Sequence, residues 1–497
     1  MCTERYKSRK GNMNMIKTEE ITRYMATEDF IDESAIEEAL AGNKNPEPRR
    51  IKNILQKSLA IETLNLDETA ALLNVQKEDL WDEIFLTAAL VKKKVYDNRI
   101  VTFAPLYCSN YCVNNCAYCG FKSDNSIERK KLSFDEIREE AKVLAGEIGH
   151  KRLVTVYGEH PYSDVNYIAG TLETIYSVKV KTKNGFGQIR RVNVNCAPLS
   201  ITDLKILKQS GIGTYQVFQE TYHHQTYQKL HPASTIKGNY RWRLYCMHRA
   251  LDAGIDDVGI GVLFGLYDWR FEVMGLVSHA HDLEKCYNGI GPHTVSIPRL
   301  EPAMNASCVS ETNYKVTDED FKRLAAVLRL SIPYAGMIIT ARESPEVRRE
   351  IIPIGCTQTD ASTRIGIGVY SKKYLNQEEN RQQFLLGDTR SLDEVIAELA
   401  RMGYITSFCT AGYRCGRTGD RIMELLRSGK EGEFCKLNAI LTFREWLDDF
   451  ASLQTKIVGE EIIAKEIKEA ERRLPLLYPK LIEYYKKIES GQRDIYF

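Results

Sequence analysis

Four cysteines crowd one short run, LYCSNYCVNNCAYCGF, as Cys108, Cys112, Cys116 and Cys119. Thiolates packed this closely are metal ligands before they are anything else. A structural zinc site usually takes two CxxC pairs separated by a longer loop. Here the gaps are three, three and two residues, with no distant second pair nearby. An iron–sulfur cluster, held by thiolates at short spacing, suits the run better. If Cys108 takes part, the cluster is fully ligated and serves electron transfer. If only Cys112, Cys116 and Cys119 ligate, one iron stays open to substrate or cofactor, and the site becomes catalytic.

A looser group, Cys409, Cys415 and Cys435, lies towards the C-terminus. The other six cysteines, Cys2, Cys196, Cys246, Cys286, Cys308 and Cys356, stand alone and read as small buried apolar side chains. The total of 13 is odd, and MCTERYKSRKGNMNMIKTEE has no apolar signal region. A disulfide framework is therefore disfavoured against metal or redox chemistry.

Lys plus Arg is 68 and Asp plus Glu is 67, so no net positive field draws nucleic acid or an anionic membrane. No apolar run reaches the length of a membrane span. The chain reads as cytoplasmic, with no nucleic-acid or membrane partner.

The elements that must position the cysteines follow from periodicity. Residues 1–95 form an N-terminal extension, polar to about 30 and then helical, with apolar residues three and four apart in DESAIEEALAG, RRIKNILQKSLA and DETAALLNVQKEDLWDEIFLTAALVKKKVY. From 96 to 375 short apolar runs alternate with helices. The strands expected are RIVTFAPLY, RLVTVY, RRVNVN, TYQVFQ, DVGIGVLFGL, HTVSIPRL, GMIITA and IPIGCTQ. YRWRLYCMHRALDAG reads as one helix, and Ser133 with Glu136 has capping-box spacing at the start of another. About eight strands alternating with helices imply an α/β fold, a (β/α)8 barrel. A doubly wound open sheet is the alternative, weakened because no GxGxxG follows the first strand. A polar linker begins near 375, and 376–497 reads as a mostly helical accessory domain opening with a second capping pair, Ser391 and Glu394. The first cysteine group thus follows the first strand, at the barrel end where active sites lie.

CVNNCAYC has the C-x3-C-x2-C spacing of radical S-adenosylmethionine (SAM) enzymes, with the aromatic Tyr118 before the last cysteine. That resemblance implies that Cys112, Cys116 and Cys119 hold a 4Fe-4S cluster whose open iron binds SAM. Reductive cleavage of SAM then yields a 5'-deoxyadenosyl radical inside the barrel. The likeness extends through SNYCVNNCAYCGF, VYGEHP, FQETYHHQTYQKLHP, AGIDDVGIGVLFGLYDWRFEV, GPHTVSIPRLEP and ITARESPEVRRE. These resemble the aromatic amino acid lyases of the superfamily, most of all the HydG-type tyrosine lyases that mature FeFe-hydrogenase, with the ThiH-type 2-iminoacetate synthases as near relatives. Both families cleave the Cα–Cβ bond of tyrosine to p-cresol and dehydroglycine.

The hydrogenase family also carries a second cluster in its C-terminal domain and converts dehydroglycine to carbon monoxide and cyanide. Its pattern resembles SFCTACYR followed by a third cysteine. This chain reads SFCTAGYRC, so Cys409 and Cys435 match, Gly412 replaces the second ligand, and Cys415 lies three residues further on. A loop rearrangement would be needed for Cys415 to serve. His293 begins a strand at the opposite barrel end, where the family resemblance implies a ligand to an extra iron.

By the same resemblance, Gly158 and Glu159 contact the SAM amino group, with Tyr118 beside them. Asn195 and Glu220 end strands at that mouth, as SAM contacts or as satisfied rim polarity. Arg299 and Arg342 also end strands, and a guanidinium grips a substrate carboxylate bidentately. A rim salt bridge to Glu301 or Glu343 is the plainer alternative. His160 reads as structural; His223, His224 and His231 read as surface or helix-start residues.

Three readings follow. The first is a radical SAM tyrosine lyase that continues to carbon monoxide and cyanide for hydrogenase maturation. It would use tyrosine, a reductant such as ferredoxin or flavodoxin, and other hydrogenase maturation proteins as partners. The second is a lyase that stops at dehydroglycine. The third is a non-catalytic iron–sulfur electron carrier using Cys108 as a fourth ligand.

Overall fold

The run RIVTFAPLYCS, rich in β-branched and aromatic residues, forms one long strand, β1 (Arg99–Ser109). Seven more strands follow: β2 (Arg152–Tyr157), β3 (Arg191–Asn195), β4 (Tyr215–Gln216), β5 (Val258–Gly261), β6 (Thr294–Ser296), β7 (Gly336–Ile339) and β8 (Gln358–Asp360). Each pairs in parallel with the next, and β8 returns to β1 through Val101↔Gln358 and Phe103↔Asp360, closing an eight-stranded barrel. The computed structural model describes residues 16–306, 308–372, 382–428 and 431–497. The first fifteen residues and the expected boundary at 375/376 lie outside these.

Several sequence expectations hold in detail. Ser133 and Ser391 each cap a helix reciprocally with Glu136 and Glu394. Others are corrected. The stretch YRWRLYCMHRALDAG is two helices, Tyr240–Leu244 and Cys246–Asp252, because the chain leaves helical geometry at Tyr245. Ile352 to Ile354 lie in the helix Pro345–Ile354, so β8 begins only at Gln358. The strands expected as TYQVFQ and DVGIGVLFGL are ladder-paired over two and four residues; their upper ends leave the ladder to build the mouth of the barrel.

The C-terminal part also contributes a strand that periodicity does not reveal. Strand β9 (Ile405–Ser407) pairs in parallel with Arg99–Val101 of β1. It ties the helices Glu431–Asp449, Leu453–Arg473 and Tyr478–Glu489 to the barrel's N-terminal end. Glu445, on the first of these, is fully buried against Arg190 at 2.9 Å and Lys151 at 3.1 Å, both at the feet of strands. Among the described residues, no helix is long and apolar enough to cross a membrane.

Burial works to raise the Glu445 carboxyl pKa, but Arg190 and Lys151 pull it down to about 2. The stabilisation is present above the ordinary carboxylate range and is lost as pH falls towards 2. Glu445→Gln leaves two buried cations underpaired and should cost about 3–5 kcal/mol. Urea denaturation between pH 7 and pH 3 checks both points: the wild type should lose stability on acidification more steeply than the variant.

Candidate active site

Side chains alternate along β1, so Phe103, Pro105 and Tyr107 face the barrel interior while Ala104, Leu106 and Cys108 face the surrounding helices. The cysteine loop leaves the top of this strand and folds back over the mouth. Cys112, Cys116 and Cys119 all line one interior cavity of about 230 Å³. Cys108 does not: it is fully buried in the outer core, its thiol donating to the Leu106 carbonyl at 3.5 Å. Of the four cysteines in the run, three therefore face the cavity.

Those thiols fit a metal cluster. Burial pushes the Cys116 thiol up to about 12; Lys237 opposes this, while Cys119 and Cys112 add to it. Burial likewise raises Cys112, with Cys119 contributing. Three adjacent thiolates in such a place need cationic metal to hold them. Asn114 Nδ2 lies 3.7 Å from Cys112 Sγ and Gln383 Nε2 lies 3.6 Å from Cys119 Sγ, donors suited to sulfur.

Gly158 and Glu159 follow β2 directly and lie against the same loop. A Cβ at 158 would lie 2.2 Å from the Tyr111 carbonyl oxygen, so only glycine allows this approach. The Gly158 amide donates to Ser109 O at 2.9 Å, and Val113 N donates to Glu159 O at 2.8 Å. Glu159 Oε2 accepts from Asn114 Nδ2 at 2.6 Å, whereas Oε1 is buried with no hydrogen-bond partner. An orphaned carboxylate oxygen in a cavity suits a ligand ammonium. Asn195 lines the cavity beside it at the end of β3.

Glu220, in left-handed backbone conformation at φ 76°, projects into the cavity. Its Oε1 accepts from Lys237 Nζ at 2.8 Å and Arg243 Nη2 at 3.0 Å. Burial would raise its pKa, but Lys237 and Arg243 hold it near 2. Neither partner was singled out from sequence; they lie in the turn and helix after β4 and carry no local motif. Tyr118 is also buried in the wall. Its hydroxyl lies 2.7 Å from His231 Nε2, while His231 Nδ1 lies 2.9 Å from the Tyr227 carbonyl. The carbonyl can only accept, so Nδ1 carries the proton and the Tyr118 hydroxyl donates to Nε2. Burial lowers the imidazole to about 3, keeping it neutral. His231 is thus a buried support of the cysteine loop, not a surface residue. His160 is structural, accepting from Tyr162 N at 3.1 Å; His223 and His224 sit at a helix start.

The two arginines part company. Arg299 Nε donates to Glu343 Oε1 and Oε2 at 3.1 and 3.0 Å, its Nη1 reaches Asp318 at 2.7 Å, and it does not line the cavity. Its guanidinium is already spent on the rim, with Glu343 one of the partners expected. Arg342 does line the cavity, packed over Phe384 at 3.2 Å. Among the described residues no carboxylate pairs with it, and burial lowers its pKa.

At the opposite end of the barrel, Cys409, Gly412 and His293 line one small cavity; Cys409, Gly412 and Cys435 line a second. Cys415 lines neither. Its thiol donates to a backbone oxygen of Phe497 at 3.4 Å. Tyr413 instead stacks on Arg191 at 3.6 Å and hydrogen-bonds Asp257, which also lies 3.3 Å from His293 Nδ1. As placed, these residues do not complete a three-thiolate set.

The sequence matches the model of the Radical SAM superfamily over residues 106–274 and that of the Biotin and Thiamin Synthesis associated domain over 296–405. It is 30% identical to 2-iminoacetate synthase of Escherichia coli over 70% of this chain and 88% of the relative. Among solved structures it is similar to HydG, a maturase of the FeFe-hydrogenase, at 44% identity and TM-score 0.89, covering 95% of this chain and all of that one. HydG from Carboxydothermus hydrogenoformans matches at 37% identity and TM-score 0.77, over the same shares.

Gly158→Ala tests the loop contact. The methyl group must displace the Tyr111 carbonyl, so the loop should open and the variant should bind much less iron after anaerobic reconstitution. Unchanged iron content with an unchanged visible spectrum would show that the contact does not position the cysteines.

Proposed function

The chain belongs to the HydG-type radical SAM family, and from that premise we propose that it is a tyrosine lyase that cleaves Cα–Cβ to give p-cresol and dehydroglycine. One observation carries the substrate reading: Arg342, a cavity guanidinium without a carboxylate partner among the described residues, faces the same space as the three loop thiols Cys112, Cys116 and Cys119. When bound, a 4Fe-4S cluster on Cys112, Cys116 and Cys119 with SAM supplies a carbon-centred radical for hydrogen abstraction.

The protein's own groups do the rest. Glu159 Oε1 accepts the SAM ammonium, and Asn114 keeps that carboxylate turned towards it. Glu220 stays anionic at any working pH through Lys237 and Arg243, a fixed acceptor for SAM hydroxyl or amino groups. Asn195 supplies an amide at the same rim. Arg342 grips the amino acid carboxylate, which restores a partner to a buried charge. Phe103, Val154, Val156, Phe218 and Ile338 make the apolar wall for the aromatic ring and exclude water from the reacting carbon. A reductant such as ferredoxin or flavodoxin would supply the electron.

Two continuations compete after cleavage. Onward conversion to carbon monoxide and cyanide for hydrogenase maturation is supported by the whole-length likeness to HydG and by Cys409, Cys435 and His293 around the lower cavities. Release of dehydroglycine is supported by Gly412 and by the turn of Cys415 towards Phe497. We favour release, because two thiolates of the C-terminal group are too few to hold a cluster by themselves.

Reconstituted protein given SAM, dithionite and tyrosine should form p-cresol without carbon monoxide in the same vial. Both gases of the longer reaction, or carbon monoxide at yields comparable to cresol, would establish the maturase continuation. SAM cleavage without any cresol would exclude tyrosine. A second variant probes the lower site. A Cβ at 412 meets nothing nearer than Arg417 at 3.8 Å, so a side chain fits there. Gly412→Cys should raise the iron content by about one cluster per chain. Unchanged iron would show that more than this ligand has been lost.

A further inference from the structure

Among the described residues, Cys286 is the exposed cysteine, although sequence alone would bury it. It ends the long helix Trp269–Cys286 that follows β5. Asp282 lies four residues earlier on the same helix face. From the neighbouring helix Cys246–Asp252, His248 points its Nε2 at Asp282, 2.7 Å from Oδ2. One imidazole nitrogen, one carboxylate oxygen and one sulfur thus lie within 4.8 Å of one another. No other His, Cys, Asp or Glu triplet among the described residues converges so closely. Ligands about 2.0–2.3 Å from a tetrahedral ion sit roughly 3.3–3.8 Å apart, so a closure of about 1 Å suffices.

The inner ligand is already fixed. His248 is fully buried, with the rings of Tyr24 and Tyr245 both 5.1 Å away and that of Tyr287 at 5.9 Å. The Tyr287 hydroxyl donates to the His248 carbonyl at 2.9 Å, which ties the two helices together beside the triad. Through Nε2, Asp282 is the hydrogen-bond partner of the ring. The outer ligands reach solvent, so water can complete the shell. Charge is also suitable. Burial, Asp282 and Asp252 all raise the Cys286 thiol, against Lys285, so a dication relieves the site.

We propose that His248 Nε2, the Asp282 carboxylate and Cys286 Sγ form a zinc site, with water as fourth ligand. The donor set selects the ion: hard cations such as magnesium and calcium avoid thiolate, whereas zinc takes nitrogen, oxygen and sulfur together. On binding, the Cys286 S–H proton passes to solvent and the thiolate ligates; the His248 Nε2–H proton also passes to solvent while Nδ1 takes one up, so that a neutral imidazole offers its Nε2 lone pair to the ion in place of its hydrogen bond to Asp282. The ion would staple the outer helices that follow β4 and β5, beneath Tyr24 and Phe30 of the N-terminal segment. This site is remote from the barrel cavity and does not depend on the reaction proposed there.

The test uses cluster-reconstituted protein, equilibrated with zinc sulfate and dialysed anaerobically, then read by metal analysis and zinc K-edge X-ray absorption. The expected result is one zinc per chain, with a single sulfur at about 2.3 Å and nitrogen or oxygen at about 2.0–2.1 Å. Cys286→Ser, an exposed change that leaves the core intact, should remove the sulfur scatterer and weaken binding at least tenfold. Asp282→Asn should weaken binding without removing the sulfur. No retained zinc overturns the proposal. So does a shell of three or four sulfurs, which places the ion in the cysteine loop, or a sulfur that survives Cys286→Ser.

Discussion

Strand β1 is the constraint on which both ends of the molecule depend. It bonds to β2 along its upper half, to β8 at its centre and to β9 at its foot. Closing the barrel through β1 places the loop after Ser109 over the interior cavity. Docking β9 on the same strand places Cys409, two residues beyond it, under the barrel floor. A register slip of one residue in β1 would turn Cys108 inward and Tyr107 outward, exchanging a three-thiol site for a different one. The register shift between Tyr107 and Ser109, where pairing with β2 becomes irregular, occurs where the strand must hand over to the loop.

Inside the cavity the distribution of charge is selective. Burying a charge is costly unless it is paired. Glu220 meets that condition twice over, through Lys237 and Arg243, and Arg299 meets it outside the cavity through Glu343 and Asp318. Arg342, and Glu159 through Oε1, do not. Their cost is tolerable if ligands of opposite charge arrive, an ammonium at one and a carboxylate at the other. A SAM molecule and an amino acid substrate together carry both. Phe103, Val154 and Ile338 form an apolar cluster in the wall of the same cavity.

Much of this was legible from sequence because it is local. Capping boxes and short apolar strand runs each express themselves within a few residues, and the Ser133 and Ser391 caps form as expected. The sequence leaves open whether Cys108 joins the other three; the strand runs on to Ser109 and puts Cys108 on the face shared with Ala104 and Leu106. The remainder depends on contacts between distant segments. Lys237 and Arg243 matter only because their turn folds back over Glu220. His231 looks like a surface histidine until Tyr118, 113 residues earlier, reaches it. Arg299 and Arg342 have equivalent sequence signatures, and only the position of Glu343 distinguishes them. Strand β9 was missed because three residues of ladder have no periodicity to detect.

The lower site shows why spacing decides whether a displaced cysteine can replace a lost one. Gly412 lies in the short helix Ala411–Arg414, and Cys415 follows at its end. Moving a ligand three residues along a helix carries it about 4.5 Å along the axis and rotates it by roughly 60°. The thiol of Cys415 accordingly meets a backbone oxygen of Phe497 instead of the space beside Cys409. The vacated direction at 412 remains open, while Tyr413 joins Arg191 and Asp257 in a bonded network between the helix and the strand feet. That network pairs Arg191 with Asp257 at the barrel floor. The lower thiolate set is incomplete as placed, whereas the upper cysteines are positioned separately, by β1 and the loop that follows it.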